Sequence, residues 1–117
     1  MEWEILYYHE GNRSPVRDFI DTLPPKTKAK VLRNLLLLSE FGLELGWPLV
    51  SNVDRNIWEL RTVYQGNQYR LLFSLVPEKT FLVLHGFQKK SAKLPERELE
   101  IARKRLKRYL LSREGGK

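Results

Sequence analysis

IWELRTVY (Ile57–Tyr64), QYRLLFSLV (Gln68–Val76) and TFLVLHGF (Thr80–Phe87) are three consecutive runs rich in β-branched and aromatic residues. Gln65-Gly66-Asn67 and Pro77-Glu78 separate them, and both clusters favour turns. The pattern reads as three antiparallel strands joined by hairpins. Side chains alternate along a strand, so each run has two faces. Trp58, Leu60, Leu71, Phe73, Leu75, Leu82 and Leu84 make one apolar face that helices can cover. The opposite set holds Glu59, Arg61, Arg70, Leu72, Ser74, Phe81, Val83, His85, Phe87 and Lys89. With turns at Gln65-Gly66 and Pro77-Glu78, Arg61 stands opposite Arg70 and Arg70 opposite His85. Lys89 follows two steps beyond His85, with Phe87 between them. A one-residue slip in register would scatter this row.

On the N-terminal side, EWEILYY (Glu2–Tyr8) reads as a strand that ends in the turn cluster His9-Glu10-Gly11-Asn12. Ser14 is an N-cap and Pro15 suits the first helical position, opening a short helix to about Leu23. Pro24-Pro25 breaks it and starts a second helix. That helix is expected to turn Ala29, Leu32, Leu35, Leu36 and Phe41 inward and Lys26, Lys28, Lys30 and Arg33 outward, with Gly42 as C-cap. Leu43 to Asn56, punctuated by Gly46 and Pro48, reads as a loop.

On the C-terminal side, Pro95 opens a basic helix over about 95–112. Glu96, Glu98 and Glu100 lie near its positive end and basic residues crowd its negative end, as the helix dipole favours. Leu99, Ala102, Leu106, Tyr109 and Leu110 form its apolar stripe, too narrow for a membrane-binding face. No repeat or linker interrupts the chain. The expectation is a single small α+β domain over 1–117, in the order βααβββα. Its sheet is mainly antiparallel with about four strands, and two N-terminal helices and a C-terminal helix pack on it.

Composition narrows the chemistry. The 117 residues are 42% hydrophobic and contain no cysteine, which excludes disulfides, thiolate catalysis and cysteine-bound metals. Two histidines, His9 and His85, are too few for a histidine-based metal cage, so neither metal nor cofactor is expected. No apolar run approaches a membrane span and the start is not a signal peptide, so a soluble cytoplasmic protein is the expectation. The net charge is +7. Residues 1–84 are balanced. Residues 85–117 carry Lys89, Lys90, Lys93, Arg97, Arg103, Lys104, Arg105, Lys107, Arg108, Arg113 and Lys117 against four Glu. A charge excess so concentrated suggests a polyanionic partner, nucleic acid or an acidic protein.

Like charges directly opposite one another weaken a sheet, by about 0.2–1 kcal/mol per pair. Two readings of the Arg–Arg–His row follow. Glu59 or a loop carboxylate neutralises it as an ordinary ion-pair network, or the row binds phosphate, which the arginine fork matches. Clustered Arg and Lys suffice for RNA cleavage without a metal. The ribose 2′-hydroxyl is an internal nucleophile, guanidinium groups stabilise the charge on the phosphorane, and a base and an acid move the two protons. His85 or a lysine crowded by cations would serve as base or acid.

The blocks Ile57-Trp58-Glu59-Leu60-Arg61, Tyr69-Arg70-Leu71-Leu72-Phe73 and Leu84-His85-Gly86-Phe87-Gln88-Lys89-Lys90-Ser91, followed by Pro95 and Ala102, resemble the phage-derived branch of the RelE/HigB toxin family. These toxins belong to type II toxin–antitoxin modules. The resemblance runs from the first strand to about Tyr109. It implies a microbial-ribonuclease-like fold and an endoribonuclease (mRNA interferase) that cuts mRNA, usually at the ribosome. It also implies a cognate helix-turn-helix antitoxin. Carried over by position, Arg61 and Arg70 fall on phosphate-binding arginines, and Lys89 and Lys90 on the basic pair after the last strand. The catalytic candidates are Arg61, Arg70, His85 and Lys89, and the RNA-binding candidates are Phe87, Lys90, Ser91 and Lys93. Ser91 keeps a hydroxyl where threonine is common, whereas Leu94 lacks one. Two alternatives share the fold: a ParE-like gyrase inhibitor, and a phage-derived protein that binds nucleic acid without cutting it.

Overall fold

The computed structural model describes residues 2–115; Met1 and Lys117, the latter counted above with the basic tail, lie outside them. The chain runs β1 (Glu4–Tyr7), α1 (Pro15–Asp21), α2 (Pro25–Phe41), a 3-10 turn (Gly42–Leu45), β2 (Val50–Asp54), β3 (Ile57–Tyr64), β4 (Asn67–Val76), β5 (Thr80–Lys89) and α3 (Glu96–Gly115). The expected α+β domain is present, with five strands in place of four, ordered β1-β5-β4-β3-β2. β2 to β5 are antiparallel neighbours, and β1 closes the far edge parallel to β5.

The extra strand, β2, lies in the segment read as a loop. Val50-Ser51-Asn52-Val53-Asp54 is short and polar, and its pairing with β3 slips between Asn52 and Asp54. Neither composition nor alternation marks such an edge strand; pairing with β3 makes it one.

The helices divide between the two faces. Ser14 caps α1, its hydroxyl accepting from the Arg17 N–H, and Gly42 ends α2 at φ +63°. α1 and α2 cover one face over Leu60, Leu71, Phe73, Phe81 and Val83. α3 covers the other over Ile57, Leu72, Leu82, Leu84 and Phe87. Both glycines at tight approaches are fixed by packing. A Cβ on Gly86 would stand 2.6 Å from Phe19 of α1, and one on Gly42 would stand 2.7 Å from the Trp3 indole.

Three expectations need correction. In α2 the buried residues are Thr27, Val31, Asn34, Leu35, Leu38 and Ser39. Ala29 is exposed, and Leu32, Leu36 and Phe41 are 41–52% exposed. Polar groups rotate the stripe: Asn34 Nδ2 donates to Thr62 Oγ1 at 2.9 Å, and Ser39 Oγ donates to the Trp3 carbonyl at 2.7 Å. In α3 the stripe holds through Tyr109, but Leu110 is 40% exposed. The third correction concerns β5. A bulge at Leu72/Phe73 places Val83 opposite Phe73 and His85 opposite Leu72, leaving Leu84 as the extra residue. The β4–β5 turn spans Pro77-Glu78-Lys79, one residue more than expected, so Phe81 and Val83 point to α1 and α2 while Leu82 and Leu84 point to α3.

The bulge also breaks the expected row. Arg61 does stand opposite Arg70, but Arg70 stands opposite Phe87, and His85 lies two residues away opposite Leu72. Two displacements add here, a longer β4–β5 turn and the bulge, so the face is conserved while the partner changes.

Candidate nucleic-acid interface

The face that carries the candidates is the one α3 packs against, and α3 divides it into a covered part and an open end. Arg70 is fully buried. Its Nε donates to Glu59 Oε1 at 3.1 Å, NH1 to the Tyr69 carbonyl at 3.1 Å and NH2 to Gln68 Oε1 at 2.7 Å. Burial, and then the nearby Arg61 charge, pull this guanidinium below its usual range, and Glu59 opposes both. Such a group organises its neighbours and offers no free edge to a ligand.

His85 is held by α3 from both sides. Nε2 lies 2.6 Å from Glu98 Oε1, and Nδ1 lies 3.4 Å from Arg105 NH1. A carboxylate only accepts and a guanidinium only donates, so the neutral tautomer that satisfies both carries its proton on Nε2. Burial, the largest influence, pushes the His85 pKa down; the hydrogen bond and charge of Glu98 push back, and Arg105 adds a smaller downward pull. Arg105 NH1 also donates to the Leu84 carbonyl at 2.9 Å, so the extra residue of the bulge finds its partner on α3. Phe87 is buried, 7% exposed, with its ring stacked on the imidazole at 5.4 Å between centroids. It offers no open surface for a base.

The open end is different. Arg61 is partly exposed, and its NH1 donates to Glu59 Oε2 at 3.1 Å, so one carboxylate serves both arginines. The Arg61 guanidinium lies over the Trp47 indole, 4.4 Å from the ring centroid, and Trp47 is 70% exposed. Two strands away, Gly66, Asn67, Gln68, Gln88, Lys89, Lys90 and Ser91 line a shallow polar groove of about 530 Å³. Lys89 Nζ donates to the Ser91 and Ala92 carbonyls at 2.8 and 2.9 Å, and Ser91 Oγ donates to the Lys93 carbonyl at 2.8 Å. Lys89 and Ser91 thus shape the loop into α3, while Lys90 and Lys93 are exposed.

The structure therefore gathers Arg61, Lys89, Lys90, Ser91 and Lys93 around the open end, sets His85 and Phe87 against α3 and buries Arg70 between β3 and β4. Sequence reading missed Trp47, Asn67 and Gln68. An aromatic between Gly46 and Pro48, in a turn with nothing to bury it, was the available signal for Trp47. On α3 much of the positive charge is internally paired. Arg103 meets Asp54 at 2.6 Å together with Glu96 and Glu100, and Arg108 meets Glu10 at 3.1 Å. Among the described residues no group of His, Cys, Asp and Glu could hold a metal ion, and no helix is long and apolar enough to cross a membrane.

A small α+β domain with helices on both faces of a mixed sheet and a cationic groove at one end defines the class. Within it, the chain belongs to the family of phage-derived Gp49-like proteins (DUF891), whose model matches residues 18–107. The matched span runs from α1 into α3 and includes the groove, Arg61 and Trp47. No curated protein matches the chain.

Proposed function

We propose that this Gp49-like protein is the toxin of a type II toxin–antitoxin module, of RelE/HigB type, and acts in the cytoplasm as a metal-independent endoribonuclease on mRNA at the ribosome. The observation that carries this reading is the open groove of Gly66–Gln68 and Gln88–Ser91, with Lys89 and Lys90 on its wall and Arg61 on the same face. Single-stranded RNA crossing that end of the sheet meets positive charge and amide groups without any rearrangement of the core. The 2′-oxygen forms a bond to phosphorus while the bond to the 5′-oxygen breaks, leaving a 2′,3′-cyclic phosphate and a free 5′-hydroxyl. Lys90 stabilises the charge on the reacting phosphoryl oxygens, and Arg61 holds a neighbouring phosphate of the same strand. Lys89, once its Nζ turns from the Ser91 and Ala92 carbonyls, relays the 2′-hydroxyl proton to the departing 5′-oxygen. Arg70 and His85 act as positioning residues, Arg70 tying β3 to β4 and His85 tying β5 to α3. A helix-turn-helix antitoxin with an acidic segment would neutralise this basic surface, and electrostatic steering would speed both associations.

The engagement of both His85 nitrogens favours a second reading, in which the groove binds RNA without cutting it. Induced expression in a bacterial host, with pulse labelling of protein and DNA synthesis, separates the cases. Early arrest of protein synthesis, with new 5′-hydroxyl ends on mRNA, is the expected result. Arrest of DNA synthesis first would move the target to gyrase. Salt-sensitive binding that leaves RNA intact would support the second reading.

A further inference from the structure

Trp47 is the most exposed large apolar side chain among the described residues, yet it is not loosely held. Its turn is pinned at the base by the Val50 N–H donating to the Gly46 carbonyl at 2.8 Å, and the Arg61 N–H donates to the Leu49 carbonyl at 2.8 Å. One face of the indole carries the Arg61 guanidinium at 4.4 Å, and Arg61 is itself fixed by Glu59. The result is a rigid flat ring, loaded with a cation on one side and open on the other.

We propose that Trp47, backed by Arg61, is a stacking platform for an unpaired nucleobase of single-stranded RNA. This rests on the reading of the groove as an RNA site and adds a specific subsite to it. A planar, neutral π-system suits the open face, because base–aromatic stacking tolerates any base and a guanidinium adds cation–π attraction. A cationic ligand is disfavoured there by the Arg61 charge behind the ring. An aliphatic partner anchor would want a pocket, whereas this ring stands proud of the surface. Placement agrees. Arg61, Arg70 and Phe87 are in register across β3, β4 and β5, and Lys89 lies two residues beyond Phe87. Two strand spacings and two residues separate Arg61, on which the platform rests, from Lys89 by about 10 Å across and about 7 Å along. One strand of RNA can therefore lay a base on Trp47, its phosphate on Arg61 and a later phosphate on Lys90.

The test uses the full chain and two labelled probes read by fluorescence anisotropy. One is a short 2′-O-methyl oligonucleotide, which cannot be cut by its own hydroxyl. The other is an abasic phosphodiester of the same length. The wild type is expected to prefer the base-bearing probe by about ten-fold or more. Trp47→Ala should erase that preference while keeping its affinity for the abasic chain, and Trp47→Phe should retain most of it. Equal binding of the two probes by the wild type, no binding at low salt, or an unchanged preference in Trp47→Ala would each overturn the platform. So would loss of growth arrest in Trp47→Ala with oligonucleotide binding intact, which would make the indole an anchor for a protein partner. Cleavage is scored separately. A Trp47-dependent preference with no cleavage retains the platform and removes the endoribonuclease. Cleavage with no preference does the reverse.

Discussion

Arg61 and Arg70 face each other across β3 and β4 and share the carboxylate of Glu59, but their surroundings differ in every other respect. Arg70 is wholly buried, and all three of its nitrogens donate to fixed protein acceptors. Arg61 keeps 21% of its side chain exposed and leans on an indole that faces solvent. The same residue type at matched positions thus divides into one group that holds the sheet and one that is available to a ligand. Burial decides which. A row of cations across a sheet is therefore not one site but a series of environments.

Substitutions can break this contrast. The largest effect is expected at Arg70. Truncation to Ala leaves the buried Glu59 carboxylate with Arg61 as its one remaining cation and the half-buried Gln68 without its donor, and should cost about 3–5 kcal/mol of stability, read by chemical denaturation. Replacing the pair together, as Glu59→Gln with Arg70→Met, should recover a good part of that loss; no recovery would mean that the geometry of Arg70 matters beyond its charge. Next is Gly86→Ala, where the new methyl meets Phe19 and Leu71 at less than 3 Å. Overpacking there should cost about 1–3 kcal/mol, and Phe19→Ala in the same chain should relieve the clash.

A smaller effect belongs to His85. Its pKa is depressed in the folded protein, so the unfolded chain takes up a proton first as pH falls. The sign follows from linkage: stability is fully present above about pH 6.5 and declines as pH drops below it. Melting profiles between about pH 5 and 8 should show this slope, and His85→Gln should flatten it. A slope of opposite sign would place a charged imidazole against Glu98. The smallest stability effect is at Arg61, where loss of a partly exposed ion pair should cost no more than about 1 kcal/mol.

The same contrast explains what could be read from the residues. Three central strands, the Gln65-Gly66 turn, the Ser14 cap and the opening of α3 after Pro95 were legible because each is set by local chemistry: alternation, turn residues and capping. β2 was not, since Val50–Asp54 becomes a strand only through its partner. The pairing of Arg61 with Arg70 followed from a two-strand hairpin with a short turn. The pairing beyond it failed for two reasons: the β4–β5 turn takes in Lys79 as well as Pro77-Glu78, and a bulge at Leu84 has no signature in a run as uniformly apolar as Phe81–Leu84. Lys89, Lys90 and Ser91 stood out as a cluster, whereas the burial of Phe87 depends on how α3 crosses the sheet, which no stretch of sequence states. Trp47 was overlooked for a related reason: an aromatic in a turn is informative only once it is seen to remain uncovered.

The most direct measurement sets growth arrest beside thermal stability for Arg61→Ala and Arg70→Ala under the same induction. The structure predicts that Arg61→Ala keeps its melting temperature within about 5 °C of the wild type and loses growth arrest, while Arg70→Ala loses both together. Full arrest by a stably folded Arg61→Ala protein would contradict the assignment of the open end as the working surface.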